Sequence, residues 1–142
     1  MMRESLLTLL LSSTYTVTIM TLNTKPGPII YTINATDRTL GRVASEAAHA
    51  LLGKRSVHFA KNQALLITVI IENASKLHLT TRRTEGKVYT HYTGYPGGLR
   101  KMNMNEMIVK KGIEDVVKKT VDGMIPRNKL RKPRMKNLIV NA

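Results

Sequence analysis

The residues best placed to do chemistry lie between Lys87 and Lys101, in the run KVYTHYTGYPGGLRK. Lys87, Arg100 and Lys101 carry permanent positive charge, His91 adds an imidazole, and Tyr89, Tyr92 and Tyr95 add rings with hydroxyl groups. No acid interrupts them. They flank Thr93-Gly94-Tyr95-Pro96-Gly97-Gly98, where proline followed by glycine predicts a type II turn. Glycines at 94, 97 and 98 let backbone come close to a bulky partner. The chemistry on offer is anion binding. The competing description is a surface hairpin with solvated lysines.

A second basic segment lies near the C-terminus. Arg127, Lys129, Arg131, Lys132, Arg134 and Lys136 crowd together, and no acid occurs from Gly123 to Ala142. That is the electrostatic footprint of phosphate-backbone binding. Leu138-Ile139-Val140 reads as a short strand that pins this segment to a core, against the alternative of a disordered basic tail. Over the whole chain Lys plus Arg number 23 against 9 Asp plus Glu, a formal charge of +14. Self-repulsion of that size destabilises a compact chain unless a polyanion compensates it.

Enzymatic readings fare poorly. Gly53-Lys54-Arg55-Ser56 is similar to the end of a phosphate-binding P-loop, but Ala48 stands where the partner glycine belongs. It also follows a predicted helix, whereas a P-loop precedes one. His49, His58, His78 and His91 lack i,i+4 spacing and the chain has no cysteine, so no metal site is expected and disulfides are excluded. The acids are scattered, with no pairing pattern for general acid–base work. No catalytic residue, cofactor or small-molecule substrate is expected. Phe59 and five tyrosines are too few for a base-stacking platform, so folded RNA read through shape and backbone fits better than a threaded single strand.

The elements that must position these groups follow from periodicity. Ile29–Asn34 reads as a strand. Asp37 or Thr39 can cap a helix whose face Leu40, Val43, Ala44, Ala47, Ala48, Leu51 and Leu52 recurs at helical spacing. Gly53 stops it, followed by Lys54 and Arg55. Leu65–Ile71 is a β-rich apolar run of strand length, with the character of a strand buried on both faces. Lys76–Thr80 and Lys87–Tyr92 read as further strands. Asn105–Lys111 reads as a helix stopped by Gly112, and Ile113 to Met124 as another, ended before Pro126. The order β-α-β-β-β-α-α argues for α/β, with helices on both faces of a mixed sheet. Asn34-Ala35-Thr36 and Asn73-Ala74-Ser75 each end a strand and read as repeated turn chemistry.

Residues 1–28 differ from the rest. They read as a poorly ordered extension or a mis-assigned start with Met20 as the true one, and 29–142 as a single domain. Leu6–Leu11 is too short for a membrane span, which needs about 20 apolar residues, and no membrane partner is expected.

Four ordered blocks resemble the bacterial-type large-subunit ribosomal protein L-thirteen family. They are Thr39–Ser45 with Leu51–Lys54, then Ile71–Lys76, then Lys87–Leu99, then Val121–Leu130. The resemblance covers about residues 29–140. It implies a three-layer α/β sandwich around a largely parallel central sheet, and a non-enzymatic constituent of the large ribosomal subunit. The implied partners are large-subunit ribosomal RNA, bound early in assembly, and neighbouring large-subunit proteins, in a cytoplasmic or organellar ribosome. It carries the RNA-facing role onto Lys54, Lys87, His91, Tyr95, Gly97, Gly98, Arg100, Lys101, Arg127, Asn128 and Lys129. The charge pattern adds Arg55, Arg131, Lys132, Arg134 and Lys136. Departures from the family pattern fall at Tyr31, Asn62-Gln63-Ala64, Thr81 and Leu130-Arg131-Lys132. An extra-ribosomal RNA-binding regulator is the alternative reading, followed by a small basic nucleotide-acting enzyme.

Overall fold

The computed structural model describes residues 27–142. The readings of residues 1–28 therefore fall almost wholly outside the described part. Strand β1 spans Ile29–Asn34, as its β-branched alternation predicts. Ile33 is buried with Ile29 and Tyr31 half-buried, while Ile30 and Thr32 point outward. Helix α1 spans Leu40–Leu51 and buries Leu40, Val43, Ala44, Ala47, Ala48, Ala50 and Leu51. Leu52 is only half-buried, because the helix ends there. Gly53 then takes φ +81°, and its N–H donates to the Ala50 carbonyl at 2.8 Å. A Cβ at Gly53 would also lie 2.8 Å from Leu65 Cδ1, the tip of a side chain that can yield, so it is the backbone conformation that requires glycine here.

Thr39 stands at the N-cap position, but its side chain makes no capping hydrogen bond. Asp37 is a turn residue with φ +55° and does not cap. The Asn34 side-chain oxygen accepts hydrogen bonds from the Thr36 N–H, the Thr36 hydroxyl and the Asn73 amide. The two Asn-Ala-Thr/Ser turns are thus tied to each other.

Strand β2 runs over Ile67–Glu72, two residues later at its start than the apolar run begins. Leu66 is 68% exposed and precedes the pairing. β2 is central in a parallel sheet of order β1-β2-β5, where β5 is Leu138–Val140. Ile33 pairs with Ile71, and Val69 with Leu138. The short C-terminal strand does pin the basic segment to the core. The architecture is α/β with a parallel central sheet, as the family resemblance implies. The mixed sheet expected from element order resolves into this parallel sheet and a separate antiparallel hairpin.

Covering of the sheet is uneven. Its inward face buries Ile33, Ile67, Val69, Ile71, Leu138 and Val140. Among the described residues, Ile30 and Ile139 on the outward face are 63% and 46% exposed, with Thr68 and Ile70 half-buried.

Lys76–Thr80 forms no strand. Ala74–Lys76 is a 3₁₀ turn, and only His78 makes a bridge, to Thr39. Leu77 and Leu79 do alternate inward, but alternation reports facing and not pairing, and no continuous partner lies alongside. A short helix α2, Thr81–Gly86, follows. It buries no residue, so it left no apolar period to read. Strand β3 is Val88–Tyr92, and β4, unexpected from composition, is Leu99–Asn103. Helices α3, Met104–Lys111, and α4, Ile113–Met124, meet at Gly112, whose φ of +86° turns the chain. α4 buries Val116, Val117 and Val121 and packs on α1, where small residues allow a close approach. Helix α5, Arg131–Lys136, accommodates Pro133 in its first turn, where the missing N–H has no intrahelical duty. No helix among the described residues is long and apolar enough to cross a membrane.

Candidate nucleic-acid interface

β3 and β4 form an antiparallel hairpin with His91 opposite Arg100, Thr90 opposite Lys101 and Tyr89 opposite Met102. Tyr89 and Met102 pack against the core, and the Met104 N–H donates to the Lys87 carbonyl at 2.9 Å. The hairpin is therefore held at its base and on one face, while its tip is free.

The tip contains the expected type II turn. Gly97 has φ +74°, and the Gly98 N–H donates to the Tyr95 carbonyl at 2.9 Å. The Thr93 N–H closes the loop onto the Gly98 carbonyl. Tyr95 is 76% exposed. Lys87, His91, Gly97, Arg100 and Lys101 are exposed as well. The hairpin shape of the competing description is correct; what distinguishes the functional reading is the charge it presents.

Beneath the hairpin lies a cleft of about 390 Å³, lined by Tyr89, His91, Arg100, Lys101, Met102, Met107, Lys111 and Lys119. Lys119 Nζ stands 4.6 Å from the centre of the Tyr89 ring, and Lys87 Nζ 5.8 Å from it. Tyr89 as a wall residue, Lys111 and Lys119 were not among the sequence candidates. Spacing gave no signal for Lys119: Glu114 and Lys118 are i,i+4 and pair at 3.4 Å, whereas Asp115 and Lys119 share that spacing and do not pair. Arg82 and Arg83, beside Lys87 in an adjoining hollow, were also missed.

The tail candidates separate into free and engaged groups. Arg127, Asn128 and Lys129 are exposed in the loop between α4 and α5, and Lys132 and Lys136 are exposed on α5. Arg131 donates through two nitrogens to both oxygens of Asp122. Arg134 is a correction to the charge-based reading. It is 4% exposed, and its guanidinium donates to the Gln63 carbonyl at 2.9 Å. Buried with no carboxylate partner among the described residues, it clasps the loop after α1 to the tail instead of presenting its charge at the surface.

Lys54 is exposed after α1. Arg55 donates to Glu46 at 2.7 Å and lies 5.7 Å from the Tyr31 ring, while Arg38 reaches the other Glu46 oxygen at 2.6 Å. Hydrogen bonds from Arg55, then Arg38, hold the Glu46 carboxyl below the usual carboxylate range, and partial burial opposes them. A carboxyl lowered in the folded state stabilises fully above the ordinary glutamate range. That contribution is lost as pH falls through the range toward the lowered value. Glu46→Gln is therefore expected to lower Tm at pH 7 by about 1–3 °C, with the deficit shrinking to nothing as acid protonates the wild-type carboxyl. Thermal melts across pH 3–7 check this, and a deficit independent of pH would contradict it.

A family model described as "Ribosomal protein L13" matches residues 29–142 of this chain. The chain is 38% identical over 112 residues to "Large ribosomal subunit protein uL13" of Geobacter sulfurreducens, covering 79% of this chain and 78% of that protein. It is 38% identical over 112 residues to the protein of the same name from Hahella chejuensis, with the same 79% and 78% coverage. To that of Chlamydia muridarum it is 42% identical over 110 residues, covering 78% and 73%.

Proposed function

This chain belongs to the ribosomal protein L13 family, and we propose that its hairpin and its α4–α5 loop are the surfaces by which it holds large-subunit ribosomal RNA. The protein is a structural constituent of the large ribosomal subunit, not an enzyme. The observation that carries the RNA-facing assignment is the hairpin tip. His91, Arg100 and Lys101 stand exposed around a glycine turn that projects from a fixed base.

The parallel core acts as a rigid mount. The glycine turn lets backbone approach RNA where a side chain would obstruct, and the flanking bases neutralise phosphates. Arg127, Asn128 and Lys129 form a second contact, held by Ile125, which is buried, and by α5. Such a body fixes two RNA segments relative to one another, which is the structural task of an assembly protein.

Binding to deproteinised large-subunit ribosomal RNA is expected to weaken with salt. With about six phosphates neutralised, log K falls against log salt with a slope of about −4 to −5. In a sucrose gradient the tagged protein is expected to sediment with large subunits. A slope near zero, or migration only with free protein, would reject the assignment.

A further inference from the structure

We propose that the cleft between the hairpin and helices α3 and α4 seats a phosphate of the RNA backbone, with Arg100, Lys111 and Lys119 as charged donors and the Tyr89 ring holding the Lys119 ammonium in place. This rests on the RNA-binding reading above and adds to it a contact separate from the glycine turn.

The cleft collects positive charge from three elements. Arg100 and Lys101 come from β4, Lys111 from the end of α3 and Lys119 from α4, with His91 beside them on β3. Among the described residues, no carboxylate lines it. Of the acids on α4, Glu114 is held by Lys118 and Asp122 by Arg131, while Asp115, one turn before Lys119, forms no ion pair among the described residues and does not line the cleft. These cations repel one another until an anion enters.

Tyr89 decides the geometry. Its ring faces the ammonium groups of Lys119 and Lys87, at 4.6 and 5.8 Å. An aromatic face orients an ammonium through its quadrupole. A carboxylate would orient it too, but would cancel the charge. Lys119 is thus aimed without an ion-pair partner among the described residues. The Met102 and Met107 side chains that complete the wall lower the local dielectric and strengthen the attraction for an incoming anion.

The surroundings favour a backbone phosphate over an isolated anion. Tyr89 also borders a hollow shared with Arg83 and Lys87, and those two border the next hollow with Arg82. Cations therefore continue in a row from Lys111 past Tyr89 to Arg82. A row suits a chain of phosphates, whereas a lone carboxylate or free phosphate would use one end of it.

The test uses the full chain and deproteinised large-subunit ribosomal RNA. Lys111→Gln with Lys119→Gln is expected to reduce the salt slope by about 1.4 and affinity at 0.1 M salt by about 25-fold, as two lost contacts require. Tm stays within about 1 °C, since both side chains are on the surface. Lys76→Gln with Lys118→Gln removes the same two charges from lysines that do not line the cleft, serves as the charge-matched control and is expected to change neither. Wild-type affinity and slope in the double variant, with the wild type still binding, would overturn the cleft and leave the hairpin reading standing. A loss of affinity equal to that of the Lys76→Gln, Lys118→Gln control would also overturn it, because net charge alone would then explain the effect. Wild type without salt-dependent RNA binding would overturn both. Inorganic phosphate at constant ionic strength is expected not to displace the RNA; displacement at millimolar phosphate would make the cleft a free-anion site and overturn the backbone assignment.

Discussion

Replacing Arg100, Lys101, Arg127 and Lys129 together with glutamine is expected to lower affinity for large-subunit ribosomal RNA about 500-fold or more at 0.1 M salt, while leaving Tm unchanged or slightly raised. The binding estimate follows from four phosphate contacts, each contributing about 0.7–0.9 to the salt slope, so the slope itself should shrink by about 3. The stability estimate follows from exposure. All four side chains lie on the surface, and the ion pairs found among the described residues involve other cations. Removing four charges from a chain of +14 also relieves self-repulsion. The contrast lies with Arg131 and Arg134. Arg131→Gln strands Asp122, and Arg134→Gln disturbs a buried contact to Gln63, so both should cost stability first. Filter binding over a salt series, with melts on the same samples, separates the two groups. Equal affinity losses from both groups would contradict the division into free and engaged bases.

Gly97→Ala combined with Gly98→Ala is expected to reduce RNA affinity by about tenfold or more, with Tm falling by only a few degrees. Gly97 sits at φ +74°, where an L residue costs about 1–2 kcal/mol. A Cβ on Gly98 would lie 1.9 Å from Thr93 Oγ1 and 2.9 Å from the Tyr95 carbonyl oxygen. The threonine can rotate away, but the carbonyl belongs to the turn, so the turn must open. Opening it displaces His91 and Arg100, which face each other across the hairpin, and forfeits one or two phosphate contacts, about 5- to 25-fold in affinity. The core is insulated, because the hairpin reaches it only through Tyr89, Met102 and the start of α3. Parallel falls in affinity and stability would mean that the turn serves the hairpin alone.

Much of the fold was legible because its signals are local. The α1 face follows from residues three and four apart, and all but Leu52 of the expected face is buried. The turn at Pro96-Gly97 follows from two φ preferences on adjacent residues. Gly53 and Gly112 end helices where expected. The failures are equally specific. Lys76–Thr80 alternates, yet only His78 makes a bridge, to Thr39, which belongs to no strand. Helix α2 contributes nothing to the core and so leaves no apolar stripe. Strand β4, LRKMN, has no β-branched residue and exists because β3 lies alongside.

The same division runs through the site. Composition and order along the chain alone determine that this protein is basic, that its bases concentrate in an acid-free hairpin and tail, and that a glycine turn tips the hairpin. Residue type and neighbour spacing are sufficient for each of those. Tertiary structure decides which of those charges remain available. Glu46 engages Arg55, Asp122 engages Arg131, and the Gln63 carbonyl, 71 residues away, engages Arg134. It also brings Lys111 and Lys119 to the hairpin, onto the ring of Tyr89. Coulomb interaction and desolvation depend on distance in space, so the field that an RNA meets is set only when the sheet and helices have closed.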